Sequence, residues 1–139
     1  MQTSPYLTFD GRCEEAFKFY ENLLRGQIVQ IMTFQDGQAM EDVPPEWGKK
    51  IMHVALNLGS EYPMGSDTPP QYYKPPQGFS VSLSVDGTSD AERIFNALAE
   101  GGTVGMPLQQ TFWAARFGMV TDRFGIPWMI SSEQNEQTV

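Results

Sequence analysis

The sequence predicts an α+β protein made of two copies of one βαβββ module, and three observations predict it. First, a strand, an Asp-Gly break and a helix occur twice in that order: Phe9-Asp10-Gly11 closes the first strand of one copy and Val85-Asp86-Gly87 that of the other. Second, the helical positions that follow recur at a single offset. Ala16 and Ala91, Tyr20 and Phe95, Leu23 and Leu98, and Gly26 and Gly101 are each 75 residues apart, while Asp10 and Asp86 are 76 apart, a one-residue loop difference. Third, the apolar spacing in each half switches from a strand period to a helix period and back. Four matches at one offset inside matching patterns read as a duplicated module of about 65–75 residues.

The elements follow in order. Tyr6-Leu7-Thr8-Phe9 is rich in β-formers and is broken by Asp10-Gly11. From Cys13 to Leu24, apolar residues at 13, 16, 17, 20, 23 and 24 give one helical face. Glu14 and Glu15 sit in its first turn, and Arg25-Gly26 at its end suit the helix dipole and a left-handed cap. Gln27–Phe34 reads as a strand turned by Asp36-Gly37, and Gln38–Lys49, with Pro44-Pro45, as a loop. Ile51–Leu58 is a clear strand and Tyr62–Ser66 a weaker one. The second half repeats the plan. Phe79–Val85 alternates, Thr88 or Ser89 caps a helix bearing Ala91, Ile94, Phe95 and Leu98, and Gly101-Gly102 ends it. Strands are expected near Thr103–Leu108, Phe117–Thr121 and Trp128–Ser131, the last two joined by a turn at Asp122-Arg123-Phe124-Gly125. The expected organisation is therefore a first module over residues 1–67, a Pro-rich linker over 68–78, a second module over 79–131 and a flexible tail over 132–139.

Composition narrows the function. The 139 residues carry 9 Lys+Arg against 17 Asp+Glu, a formal charge of −8. Such a chain lacks the basic footprint that nucleic acid or an anionic membrane surface needs, so neither is expected as a partner. Hydrophobic residues make up 40%, enough for a folded core. The single cysteine, Cys13, excludes an intrachain disulfide framework and a cysteine-cluster zinc site, and it fits a helix core position. The single histidine, His53, excludes any site needing two imidazoles from one chain. No apolar run approaches the roughly 20 residues of a membrane span. The N-terminal residues do not read as a signal peptide, so a cytoplasmic location is expected.

A duplicated βαβββ module of this length resembles the vicinal-oxygen-chelate superfamily, which includes glyoxalase I, extradiol dioxygenases and bleomycin-resistance proteins. The resemblance sharpens in Ser4-Pro5-Tyr6-Leu7-Thr8-Phe9 with Ala16-Phe17-Lys18-Phe19-Tyr20, and in Gln110–Ala114 followed by Phe117–Ile130. There the chain is similar to the PhnB-like branch, often labelled demethylubiquinone methyltransferase-like. The resemblance implies curled mixed sheets forming a cup-shaped cavity and a small-molecule ligand. It also implies modules that pair between subunits, and hence a homodimer. A methyltransferase of the doubly wound class needs a Gly-rich loop after a parallel strand. No Gly-x-Gly-x-Gly occurs here, and the strand pattern reads as antiparallel.

Metal-dependent members of that superfamily place His, Glu or Gln on the first and last strands of each module. The matching stretches here are Tyr6–Thr8, Met64–Ser66, Ser80–Ser82 and Met129–Ile130, and none contains such a residue. No metal and no cofactor are therefore expected. Six residues remain as pocket candidates: His53, Ser80, Ser82, Trp113, Arg116 and Trp128. His53 is either a half-buried strand histidine bonded to a neighbour or a pocket group able to act as acid or base near neutrality. Ser80, Ser82 and Ser84 form a hydroxyl stripe that lies on an exposed face or lines the cavity. Phe112-Trp113 and Trp128 are core aromatics, or Trp113 closes an apolar pocket. Arg116 and Asp122 form an ion pair on the last hairpin or supply polar pocket groups. Two functions remain: a metal-free small-molecule binding protein, and an enzyme of the same superfamily acting on a small oxygenated metabolite with His53 as its acid or base.

Overall fold

Apolar residues at helical spacing give the first helix one buried face, and the sheet forms around it. In the computed structural model, which describes residues 1–133, the chain divides between Pro75 and Pro76 into two compact units. In the first unit, β1 (Tyr6–Phe9) leads into α1 (Cys13–Leu23), followed by β2 (Gln27–Thr33), β3 (Ile51–Asn57) and β4 (Met64–Asp67). The sheet order is β1-β4-β3-β2. β1 runs parallel to β4, whereas β3 is antiparallel to both β4 and β2. Cys13, Ala16, Phe17, Tyr20 and Leu23 bury one side of α1. Beneath it lie Leu7, Phe9, Val54 and Leu56, all at most 2% exposed.

The second unit follows the same plan: β5 (Val81–Val85), α2 (Thr88–Ala99), β6 (Thr103–Gln109), β7 (Ala114–Thr121) and β8 (Pro127–Glu133), in the order β5-β8-β7-β6. β5 and β8 are parallel and the remaining pairs antiparallel. Ala91, Ile94, Phe95 and Leu98 fill the core against Val120, Trp128 and Ile130. Among the described residues, two α-helices and eight strands in two mixed four-stranded sheets are the duplicated α+β fold expected from the repeat. The antiparallel strand pattern needs correction: in each unit the outermost strand before the helix pairs in parallel with the last one, because the chain crosses over the sheet through the helix to return beside its start.

Other local expectations change. The end of α1 is capped by Arg25 itself in the left-handed region (φ 56°), whereas α2 uses Gly101 there (φ 75°). Gly87, not Thr88 or Ser89, is the N-cap of α2, and no side chain caps it. Val54 lies wholly in the core under α1 and is unavailable to any outer surface. The segment expected as a linker begins as part of the first unit. The Thr68 amide donates to the Phe9 carbonyl at 2.8 Å, extending the β1–β4 ladder, and the Tyr72 and Tyr73 amides donate to the Pro69 carbonyl. Ser132 and Glu133, expected in a tail, belong to β8, with Ser132 buried; residues 134–139 lie outside the described residues. Among the described residues no helix is long and apolar enough to cross a membrane.

Candidate functional site

A cavity of the first unit grows out of the connection between β2 and β3. At the end of β2 the Thr33 hydroxyl accepts the Asp36 amide at 3.0 Å, and the Gly37 amide donates to the Thr33 carbonyl. Gln38 then enters the left-handed region (φ 56°), and the Ala39 amide returns to the Phe34 carbonyl. This local bonding turns a stretch that reads as loop into a fixed arm. Pro44-Pro45 opens a short 3₁₀ turn (Pro45–Trp47) whose Trp47 is buried, pinning the far end of the arm. The Phe34 and Gln35 amides donate to the Lys50 and Gly48 carbonyls, so the ladder resumes where β3 begins.

Between this arm, the facing parts of β3 and β4, and the chain just after β4 lies a concavity of about 540 Å³. Its apolar lining comes from Phe34, Val43, Met52 and Tyr72, and its carboxylates from Glu41, Asp42 and Asp67. The volume is within the usual range for a small-molecule site. Asp67 is almost fully buried. One of its oxygens accepts the Cys13 amide at the start of α1 and the other the Ile51 amide at the start of β3, each at 2.9 Å. Burial pushes its carboxyl above the usual carboxylate range, although the Ile51 and Cys13 amides and the nearby Lys50 charge pull the other way. Cys13 is inert by the same logic: burial raises its thiol far above the ordinary range, so it supplies no nucleophile.

None of the six candidates from the sequence lines this cavity; His53 belongs to the first unit and the other five to the second. His53 is on the face of β3 opposite α1. The Tyr6 hydroxyl lies 3.0 Å from its Nδ1, and the two rings stack with centroids 5.8 Å apart. Ser82 and Ser84 are exposed, and Ser84 shares a hydrogen bond with Ser131 on β8. Ser80 and Trp128 meet at a smaller hollow of about 130 Å³ in the second unit. Trp128 is nonetheless a core residue at 3% exposure, its indole donating to Asp122 at 3.0 Å. Asp122 also accepts the Phe124 and Ile126 amides and so organises the last turn. Arg116 reaches Glu92 of α2 at 3.5 Å rather than forming the hairpin ion pair with Asp122. Phe112 and Trp113 are not core: they project from the β6–β7 hairpin at 87% and 56% exposure, packed on each other and, for Trp113, on Phe117. The cavity residues were missed because they carry no periodicity. The available signal was an irregular stretch of more than twelve residues between two strands, a length at which loops are commonly functional.

On the strand stretches where the resemblance leads one to expect metal ligands, Tyr6 lies beside Met64 and Thr8 beside Ser66 in the first unit, and Ser82 lies beside Met129 in the second. Phenol, hydroxyl and thioether groups do not make a site for a hard divalent ion. Among the described residues no three His, Cys, Asp or Glu side chains converge as metal ligands would.

The duplicated mixed sheets define a protein of the vicinal-oxygen-chelate fold. The same fold occurs in a glyoxalase/bleomycin resistance protein/dioxygenase domain from Frankia, 12% identical with a TM-score of 0.63 over 96% of this chain and 98% of that one. Within that class the chain belongs to the PhnB-like family whose model is described as 3-demethylubiquinone-9 3-methyltransferase and matches residues 1–131. Protein YjdN of Escherichia coli K12 is 32% identical over 146 residues, 99% of each chain. Protein PA1353 of Pseudomonas aeruginosa is 50% identical, with a TM-score of 0.87 over 97% of this chain and 99% of that one. A PhnB protein from Bacillus cereus shares the fold at 24% identity, with a TM-score of 0.79 over 95% and 99%.

Proposed function

We propose that this protein binds a small molecule without a metal, in the cavity between the β2–β3 arm and the end of β4. The carrying observation is that cavity itself: about 540 Å³, walled by apolar and polar side chains in equal number, on a chain whose strands expected to carry metal ligands hold phenol, hydroxyl and thioether groups. The methyltransferase named in the family description is not part of this reading, because the mixed sheet offers no Gly-rich loop after a parallel strand to hold that cofactor. A thermal-shift screen of metabolites on chelator-dialysed protein tests the proposal, since a ligand that binds only the native state raises its melting temperature. At least one compound should raise it without added metal. Stoichiometric Ni, Zn, Fe or Mn that survives dialysis and is needed for binding would overturn it.

The Tyr6–His53 contact favours a second reading: an enzyme acting on a small oxygenated metabolite, with His53 as acid or base and Tyr6 holding its ring. Loss of turnover in a folded His53→Gln protein would support it.

We also propose a cytoplasmic homodimer. Both sheets leave apolar residues on edge strands, with Val29 and Ile31 of β2 at 52% and 43% exposure and Val104 of β6 at 44%. Exposed apolar edges favour association.

A further inference from the structure

Resting on the small-molecule reading, we infer that the cavity of the first unit selects an organic cation: a protonated amine or quaternary ammonium carried on an apolar body. Three carboxylates line it, Glu41, Asp42 and Asp67, and no Lys, Arg or His does. Glu41 and Asp42 are exposed on the arm, and Asp67 is held in the wall by the Cys13 and Ile51 amides. A concave wall of one charge sign concentrates counter-ions of the other. A bare metal ion does not answer this pattern, because these carboxylates do not converge as a set of ligands. The rest of the lining also points away from a metal. Phe34 and Tyr72 bring aromatic rings to the lining, and Met52 and Val43 bring apolar side chains. Aromatic faces with distributed carboxylates are the recognition chemistry of an ammonium group on a hydrocarbon frame. An anionic ligand would meet like charge there, with no basic side chain in the lining to pair with it.

Three probes of one size and different charge separate the possibilities: 2-phenylethylammonium, 2-phenylethanol and phenylacetate, titrated by calorimetry into the full-length protein at low salt. The ammonium is expected to bind about fivefold tighter than the alcohol, with phenylacetate weakest. The Glu41→Gln/Asp42→Asn double variant changes only exposed side chains and should lose most of that preference while still binding the alcohol. Ala39→Trp, which fills the cavity, should remove binding of all three. Equal binding of ammonium and alcohol, tighter binding of phenylacetate, or a preference untouched by the double variant would overturn the inference. Each of those results would leave the small-molecule reading standing. Binding that survives Ala39→Trp would place recognition elsewhere and overturn it as well. Failure of all three probes would overturn the cation class, whereas the metabolite screen decides separately whether the protein binds small molecules at all.

Discussion

Asp67, the last residue of β4, accepts the amide of Cys13 at 2.9 Å and so caps α1 from across the fold, because Arg12, the helix's own N-cap residue, makes no side-chain cap. Its second oxygen accepts the Ile51 amide. Replacing Asp67 with Ala leaves two buried N–H groups without acceptors. At pH 7 stability should fall by about 1–3 kcal/mol, measured by urea unfolding. Burial holds the Asp67 carboxyl above its ordinary value of 3.8, so the folded chain binds that proton more tightly than the unfolded one. The stabilisation from the proton is complete below that ordinary value and is lost as pH rises through the folded value. The gap between wild type and Asp67→Ala should therefore narrow as pH rises through that window. A gap that widens would contradict the assignment.

Gly65 of β4 lies directly under Phe17 of α1. A Cβ there would sit 2.6 Å from the Phe17 ring and 2.9 Å from the Leu7 carbonyl oxygen. Gly65→Ala should cost about 1–3 kcal/mol through overpacking, read as a lower denaturation midpoint with an unchanged slope. Gly118 stands in the same relation to Phe95, at 2.7 Å, so the second unit has an equivalent test.

Tyr6 and His53 form one contact and should behave as one unit. Tyr6→Phe and His53→Gln should each lower stability by about 1 kcal/mol or less. The double variant should lose less than the combined single losses, because the contact can be removed only once. Ligand binding that persists in His53→Gln supports the binding reading; turnover lost in a stable His53→Gln protein supports the enzyme reading.

Much of the fold was legible because it is periodic. The 75-residue offset, the apolar face of α1 and the alternation of β5 each follow from one repeating contact with the core. The cavity was not legible for the opposite reason. Its arm is held by single local bonds such as Ala39 to Phe34 and by one buried indole, Trp47, none of which imposes a period. Phe112 and Trp113 mislead because strand aromatics usually pack. Here the Thr111 hydroxyl accepts the Ala114 amide and makes a tight turn, which places both rings on the hairpin tip. Tyr72 and Thr68 looked like linker because the prolines around them mask an extension of the β1–β4 ladder.

Light scattering should give about 31 kDa, twice the 15.6 kDa chain, at micromolar concentration. Val29→Lys and Ile31→Lys on the edge strand β2 should shift the mass toward 15.6 kDa without unfolding the protein. A wild-type mass of 15.6 kDa throughout would overturn the dimer.

Metal-free binding in the β2–β3 cavity is tested most directly by calorimetric titration of the strongest stabiliser from the metabolite screen into chelator-dialysed wild type and Ala39→Trp. One site per chain is expected in the wild type without added metal, and no detectable binding in an Ala39→Trp protein that still melts cooperatively. Equal affinity in the two proteins, or binding that appears only when a divalent metal is restored, would contradict it.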